Sequence, residues 1–458
     1  MSRAEEVRGD SAAAVLEGLP RRMLTGLQRF GMGWVLLGLC VLFSCLTWSE
    51  QQPAGAVAAA GAVDDLLAAT GPGPRVLVAV RNQPDDAALA AALTAALEPR
   101  GAIVVAVVTG EPKDARAALV RQSQAEPAAL DAIVGSAASM AWGVFADVPG
   151  DFPSLGRPVV VRPRSYRWPN FLKRDNLLNI ANQIAVIAIL AVGMTLVIVT
   201  GGIDLSVGSI IALASVVTAR VVRDVAGGVA AGPMGMAMAG CVGVLVGGLC
   251  GATSGAVIVA CGIPPFIATL AVMLMAGGGA SMLAEGQSVY QVPDGFMWLG
   301  RAADLFGIPN AVVLTVLLYV AAHFLMTRTT FGTWLLAVGG NREAARLSGV
   351  PVAATLLAAY VISGALAALG GVVMASQLKS GSPNFGQMYE LYVIAAVVVG
   401  GTSLAGGEGS MIGTLIGALV IAVIQNGMNL VGIESYTQRV VLGGVILMAV
   451  LLDRLRRR

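Results

Sequence analysis

Histidine occurs once in this 458-residue chain and cysteine five times, and charged residues make up only 12% of it. Each scarcity excludes something. The lone His323, in an apolar helix, reads as a packed or interfacial side chain; it cannot build a multi-histidine metal site, and no Ser/His/Asp arrangement accompanies it. Lys113, Lys173 and Lys379 are the only lysines. None follows a glycine-rich string as a P-loop lysine must, so the membrane part holds no recognisable nucleotide site. Cys40, Cys45, Cys241, Cys250 and Cys261 lie in apolar stretches without C-x-x-C or metal-ligand spacing, and read as small packing residues. Catalytic residues, metal ligands and cofactors are therefore all expected to be none. So little charge also excludes a soluble protein of this length.

What is present is apolar and glycine-rich: 56% hydrophobic residues and 58 glycines. Ile184–Thr200, Ile210–Val222, Val312–Met326 and Leu415–Val431 each run for most of a bilayer's worth of residues, which takes about 20. Barrel strands are shorter and alternate in polarity, so the fold class is an α-helical polytopic membrane protein. We place about ten transmembrane helices, near 31–48, 178–200, 204–222, 232–252, 265–284, 309–327, 352–376, 391–401, 411–431 and 437–453. The eighth is too short to cross alone and is either broken or starts earlier, near Tyr389. Arg21, Arg22 and Arg29 before the first span and Arg454, Arg456, Arg457 and Arg458 after the last put both termini in the cytoplasm, with Arg328–Val350 on the same side. Arg220 and Arg223 then face outward, against the rule.

The interval 50–168 does not belong to the membrane. Arg75–Val80, Ala102–Val108, Asp131–Val134 and Pro158–Val161 read as strands, with helices at Asp85–Glu98 and Lys113–Gln124 between them. That alternation predicts a small parallel α/β domain, extracytoplasmic by topology. The domain reading is therefore 1–30 cytoplasmic, 31–48 first helix, 50–168 insertion, 169–453 helical core of about nine spans, and 454–458 basic tail.

Three strings carry candidate chemistry. In Val199-Thr-Gly-Gly-Ile-Asp-Leu-Ser-Val-Gly-Ser209, Asp204 is placed to cap the next helix at a water-reachable cytoplasmic end. The competing reading puts Asp204, Ser206 and Thr195 in a polar translocation lining, because an intramembrane acid is a functional candidate. Gly400-Gly-Thr-Ser-Leu-Ala-Gly-Gly-Glu-Gly409 reads as a tight re-entrant turn that lets helices approach closely, with Thr402 and Ser403 joining the candidate path or gate. In the loop Thr329–Val350, Asn341 is placed to cap a short helix Arg342–Leu347 that Gly349 ends. This helix is either an ordinary connector or an element presented to a partner's groove.

From Asn170 to Asp453 the chain resembles the ribose-type permeases of bacterial ATP-binding-cassette importers. The resemblance is carried by Asn170-Phe-Leu, Asn176-Leu-Leu-Asn-Ile180, Ala191-Val-Gly-Met-Thr195, Thr200–Ser209, Pro265-Phe-Ile-Ala-Thr-Leu270, Gly339–Gly349 and Gly400–Gly407. It implies a type II-like importer fold and a second permease copy in a homodimer. It also implies a cytoplasmic ATPase subunit, an extracytoplasmic sugar-binding protein and residence among the lipids of the bacterial inner membrane. Gly340, Asn341, Arg342, Glu343, Ala344, Arg346 and Gly349 would be the coupling element that meets the ATPase. No nucleic-acid partner is expected. The insertion departs from the family, and its strand–helix order resembles the first lobe of the sugar-binding proteins. A single lobe has no second half to close over a ligand, which suggests a docking role, with a structural spacer as the competing reading.

An ion-coupled secondary transporter is the rival reading, and Asp204, Glu390 and Glu408 near span ends argue against it. Tyr360, Asn384, Tyr389 and Tyr392 are candidates to touch a polar solute, although helix packing accounts for the tyrosines equally well.

Overall fold

The computed structural model describes residues 31–53 and 55–456. The segment 1–30, with Arg21, Arg22 and Arg29, lies outside the described residues, as do Arg457 and Arg458. The chain divides into two compact units, residues 48–169 and the remainder.

Helix α1 (Gly31–Leu46) is apolar and ends where the Thr47 hydroxyl donates to the Phe43 carbonyl at 2.7 Å. Phe43 is its buried anchor, stacked on Phe171 at 6.2 Å between ring centres.

The 48–169 unit opens and closes with a two-stranded antiparallel ribbon, β1 (Trp48–Gln51) against β6 (Tyr166–Pro169). Between them run α2 (Gly55–Thr70), β2 (Arg75–Arg81), α3 (Pro84–Leu97), β3 (Ile103–Gly110), α4 (Pro112–Ser123), β4 (Ala132–Gly135) and β5 (Val159–Val161). The four inner strands form a parallel sheet in the order β3-β2-β4-β5. Alternation along β2 splits its side chains between two cores, as a strand covered on both faces requires. Val76, Val78 and Val80 pack with Leu66, Leu89 and Leu93 on one face. Leu77 and Ala79 pack with Leu119, Phe145 and Leu155 on the other. Pro84 sits at the first turn of α3, where a missing N–H costs nothing, and a capping box between Glu111 and Asp114 starts α4.

The second unit continues with α5 (Arg174–Val199), α6 (Val207–Arg220), α7 (Pro233–Cys261), α8 (Pro265–Leu283), α9 (Asn310–Arg328), α10 (Thr330–Gly340), α11 (Arg342–Leu347), α12 (Val352–Leu378), α13 (Tyr389–Val399), α14 (Met411–Leu430) and α15 (Ser435–Arg456). Six of these (α5, α7, α8, α9, α12 and α14) are long and apolar enough to cross a bilayer. A helix also occupies each of the other segments read as spans. The eighth starts at Tyr389, directly after Met388 in the left-handed region at φ +66°. The third starts at Val207 rather than 204, because Ile203–Ser206 form a turn instead of a first helical turn.

Burial separates the helices by role. In the apolar window of α5, 89% of residues are buried, against 28% in α7, α8 and α9, so α5 is the central post and the others turn flanks outward. Helix α7 meets α12 along a ridge of glycines four apart, Gly243, Gly247, Gly251 and Gly255, the spacing that keeps one helix face bare. None of the cysteines is buried. Cys40 and Cys250 are half-buried and pack against the helical core, as small packing residues do, whereas Cys45, Cys241 and Cys261 are exposed and depart from that reading.

Candidate functional site

Three strings far apart in sequence meet at the end of α5. The Gly407 amide donates to the Val199 carbonyl at 2.8 Å. Gly339, near the end of α10, lies so close to Val199 that a Cβ there would overlap its carbonyl oxygen and come within 2.5 Å of the Gly407 nitrogen. Gly406 in turn faces the Gly339 carbonyl and the Gly201 amide. Backbone rests on backbone, which only glycine permits at Gly339. Gly340 has nothing within 4 Å of a Cβ position, so its neighbour alone is sterically required.

The turn after this contact carries Asp204. Its Oδ1 accepts from the Ser206 amide at 3.0 Å and the Ser206 hydroxyl at 2.5 Å. Its Oδ2 accepts from the Ser363 hydroxyl of α12 at 2.8 Å. Gly193 of α5 brings its backbone against Ser363, which seats the serine opposite Asp204. Asp204 is 0% exposed, so the expected water-reachable end is corrected. It does not cap the first turn of α6 either; its bonds close the turn before that helix and tie the turn to α12. A carboxylate can be buried this way because hydroxyl and amide donors replace its water.

The other candidates of the polar path are also interior. Thr195 donates to the Ala191 carbonyl at 2.6 Å, and its hydroxyl lies 2.8 Å from that of Thr414 on α14. Ser403 accepts from the Ala405 amide at 3.2 Å. Thr402 is buried beside Gly409; its amide donates to the Val397 carbonyl at 3.1 Å, and its hydroxyl has no hydrogen-bond partner among the described residues. Tyr360 lies inside α12, whereas Tyr389 and Tyr392 form an edge-to-face pair on α13 at 6.2 Å, and Asn384 accepts from Gln387. They do not form one cluster with Tyr360.

Helix α11 begins beside the glycine contact. The Asn341 side chain accepts from the Glu343 and Ala344 amides, both at 3.0 Å, and Gly349 at φ +83° follows its end. Ala345 is buried against Val338 and Leu356, while Leu347 is 76% exposed. Arg346 pairs with Glu343 at 2.5 Å and holds that carboxyl below the usual range. Arg342 reaches inward to the Thr200 carbonyl at 3.5 Å.

Over residues 176–450 the chain matches the family described as branched-chain amino acid transport system / permease component. The chain belongs to this family. The ribose import permease protein of Escherichia coli K12 is 42% identical over 289 residues, 62% of this chain and 87% of that protein. The ribose import permease protein of Bacillus subtilis 168 is 43% identical over 304 residues, 66% of this chain and 92% of the relative. A probable ABC transporter permease protein of Sinorhizobium fredii is 38% identical over 296 residues, 64% of this chain and 83% of the relative. No solved structure matches.

As a permease subunit, the chain works with an ATPase subunit and a binding protein, is not itself an enzyme, and resides in the inner membrane as a multi-pass protein. Ser363 and Thr414, the helix partners of Asp204 and Thr195, escaped the sequence reading of this permease. The available signal was a hydroxyl residue inside an otherwise apolar helix, which is too common to single out either one.

Proposed function

We propose that this chain is the membrane-spanning permease of an ATP-driven importer, that its solute is a sugar or sugar-like molecule, and that a partner subunit hydrolyses the ATP. One observation carries the reading: the exposed, doubly capped α11 stands on the backbone contact of Val199, Gly339 and Gly407. A partner pressing on α11 therefore moves the end of the central helix α5. Gly340, Asn341, Arg342, Glu343, Ala344, Arg346 and Gly349 form the coupling surface; Thr195, Asp204, Ser206, Thr402 and Ser403 belong to the path or its gate. The sugar follows from relatives described as ribose import permeases.

The accompanying topology has about ten crossings and cytoplasmic termini, with 50–168 outside. Arg220 and Arg223, which this topology puts outside, share Asp224 at 2.9 and 2.6 Å, and so carry less net charge against the orientation rule. A second copy completes the pathway, surrounded by lipid, and the 50–168 unit docks the binding protein. Deleting residues 50–168 and finding unchanged complex formation and uptake would refute that docking role.

The test is uptake in proteoliposomes with and without the ATPase. Sugar uptake that requires both ATP and the binding protein is expected. Uptake persisting on an ion gradient without the ATPase would sink the importer reading.

A further inference from the structure

Tyr360 and Ser363 stand three residues apart on one face of α12, about 4.5 Å along the axis at the helical rise. Both are buried, at 0% and 1% exposure. Ser363 donates to Asp204. The Tyr360 hydroxyl has no hydrogen-bond partner among the described residues. It abuts Gly202, two positions from Asp204, where any side chain would overlap it. Leaving a buried hydroxyl unpaired is costly, and such a group in a native interior calls for an explanation.

We propose that Tyr360 is the second docking position of Asp204: Ser363 holds the carboxylate in the state described here, and Tyr360 holds it in the other state of the transport cycle. The inference rests on the importer reading above. Ser206 travels with Asp204, because its amide and hydroxyl both bind Oδ1; only Oδ2 changes donor. Each end of the step offers a hydroxyl, so the buried carboxyl is never left without a partner. The drive comes from α11. Arg342 contacts the Thr200 carbonyl, and the glycine contact joins the end of α10 to Val199 without intervening side chains. Displacing α11 therefore carries residues 199–204 along α12, and steps of about one turn between two packed positions are an established form of switching.

The test uses the full chain with its ATPase and binding protein in proteoliposomes. Tyr360→Phe removes only a hydroxyl that is unpartnered in the present state, so a static structure predicts an unfolding temperature at or above wild type and normal uptake. The switch predicts the same unfolding temperature with uptake, and hydrolysis stimulated by the binding protein, reduced about tenfold, the scale of one hydrogen bond. Ser363→Ala removes the first position and acts in the opposite sense, raising unstimulated hydrolysis about tenfold. Wild-type uptake by Tyr360→Phe overturns the switch, as does the absence of that rise in Ser363→Ala. If the wild-type chain itself supports no stimulated hydrolysis, the importer reading fails instead, so the two failures are distinct.

Discussion

Asn176 and Asn426 exchange two amide hydrogen bonds, Asn176 Nδ2 to Asn426 Oδ1 at 3.1 Å and Asn426 Nδ2 to Asn176 Oδ1 at 2.9 Å. The pair joins the first turn of α5 to the far end of α14, with Asn426 only 5% exposed. Asn176 Nδ2 also donates to the Phe171 carbonyl at 2.9 Å, so replacing Asn426 leaves only the Asn176 carbonyl oxygen without its partner, at a cost of about 1 kcal/mol. Asn426→Ala is therefore expected to lower the unfolding temperature of the detergent-solubilised protein. Adding Asn176→Ala should cost much less than the first substitution, and a double-mutant cycle measures the coupling. Additive effects would show that the pair contributes nothing as a pair.

Gly339→Ala and Gly340→Ala differ by one position and should differ sharply in effect. A Cβ on Gly339 overlaps the Val199 carbonyl, whereas one on Gly340 meets nothing within 4 Å. Forced overlap in a packed interior costs about 1–3 kcal/mol. We expect Gly339→Ala to lower stability and abolish uptake, while Gly340→Ala unfolds at the wild-type temperature, as read by uptake and thermal unfolding side by side. Equal behaviour of the two variants would remove the glycine contact from the account.

Asn341→Ala deletes the acceptor for two amides at the start of α11, worth about 1 kcal/mol at a helix N-terminus. Since α11 has only six residues, fraying it should weaken association with the ATPase severalfold, measured by co-purification. Asn341→Asp keeps the acceptor and should restore it.

Glu343 has its carboxyl held below the ordinary range by Arg346. The unfolded carboxyl titrates near 4.3, so the folded group loses its proton at lower pH than the unfolded one. Stabilisation from this pair is full above that ordinary value and disappears as pH falls through the lower, folded value. Glu343 therefore stays ionised between about pH 6 and 8, and it should add no pH dependence to association with the ATPase in that range. Exposed pairs contribute little. A titration midpoint near neutrality that vanishes in Glu343→Gln would contradict this.

Apolar runs, and the strings that interrupt them, revealed the membrane class and the positions of most helices. Length and lack of charge are local properties, and a bilayer imposes them on each segment separately. The inner strands of the 48–169 unit were legible for a similar reason, since runs such as Arg75–Arg81 are apolar on both faces. Helix α2 was not, because Gly55–Thr70 is alanine-rich without a capping signal, and neither was the β1–β6 ribbon, whose strands lie far apart in the chain.

Local chemistry also marked Asn341, Gly349 and Asp204, each beside a helix end where caps and turns are written into neighbouring residues. What Asp204 does was beyond the sequence. Its partner Ser363 is 159 residues away, Thr195 and Thr414 are 219 apart, and Asn176 and Asn426 are 250 apart. Such pairs form only where helices cross. The crossings depend on which glycines face which backbones, and a glycine-rich string alone does not say what it will touch. The sequence by itself determined a helical membrane protein with short capped turns. The packing of α5, α7 and α12 decided that Asp204 is buried, that Tyr360 lacks a partner and that α11 rests on the end of the central helix, because those facts follow from contacts between distant segments.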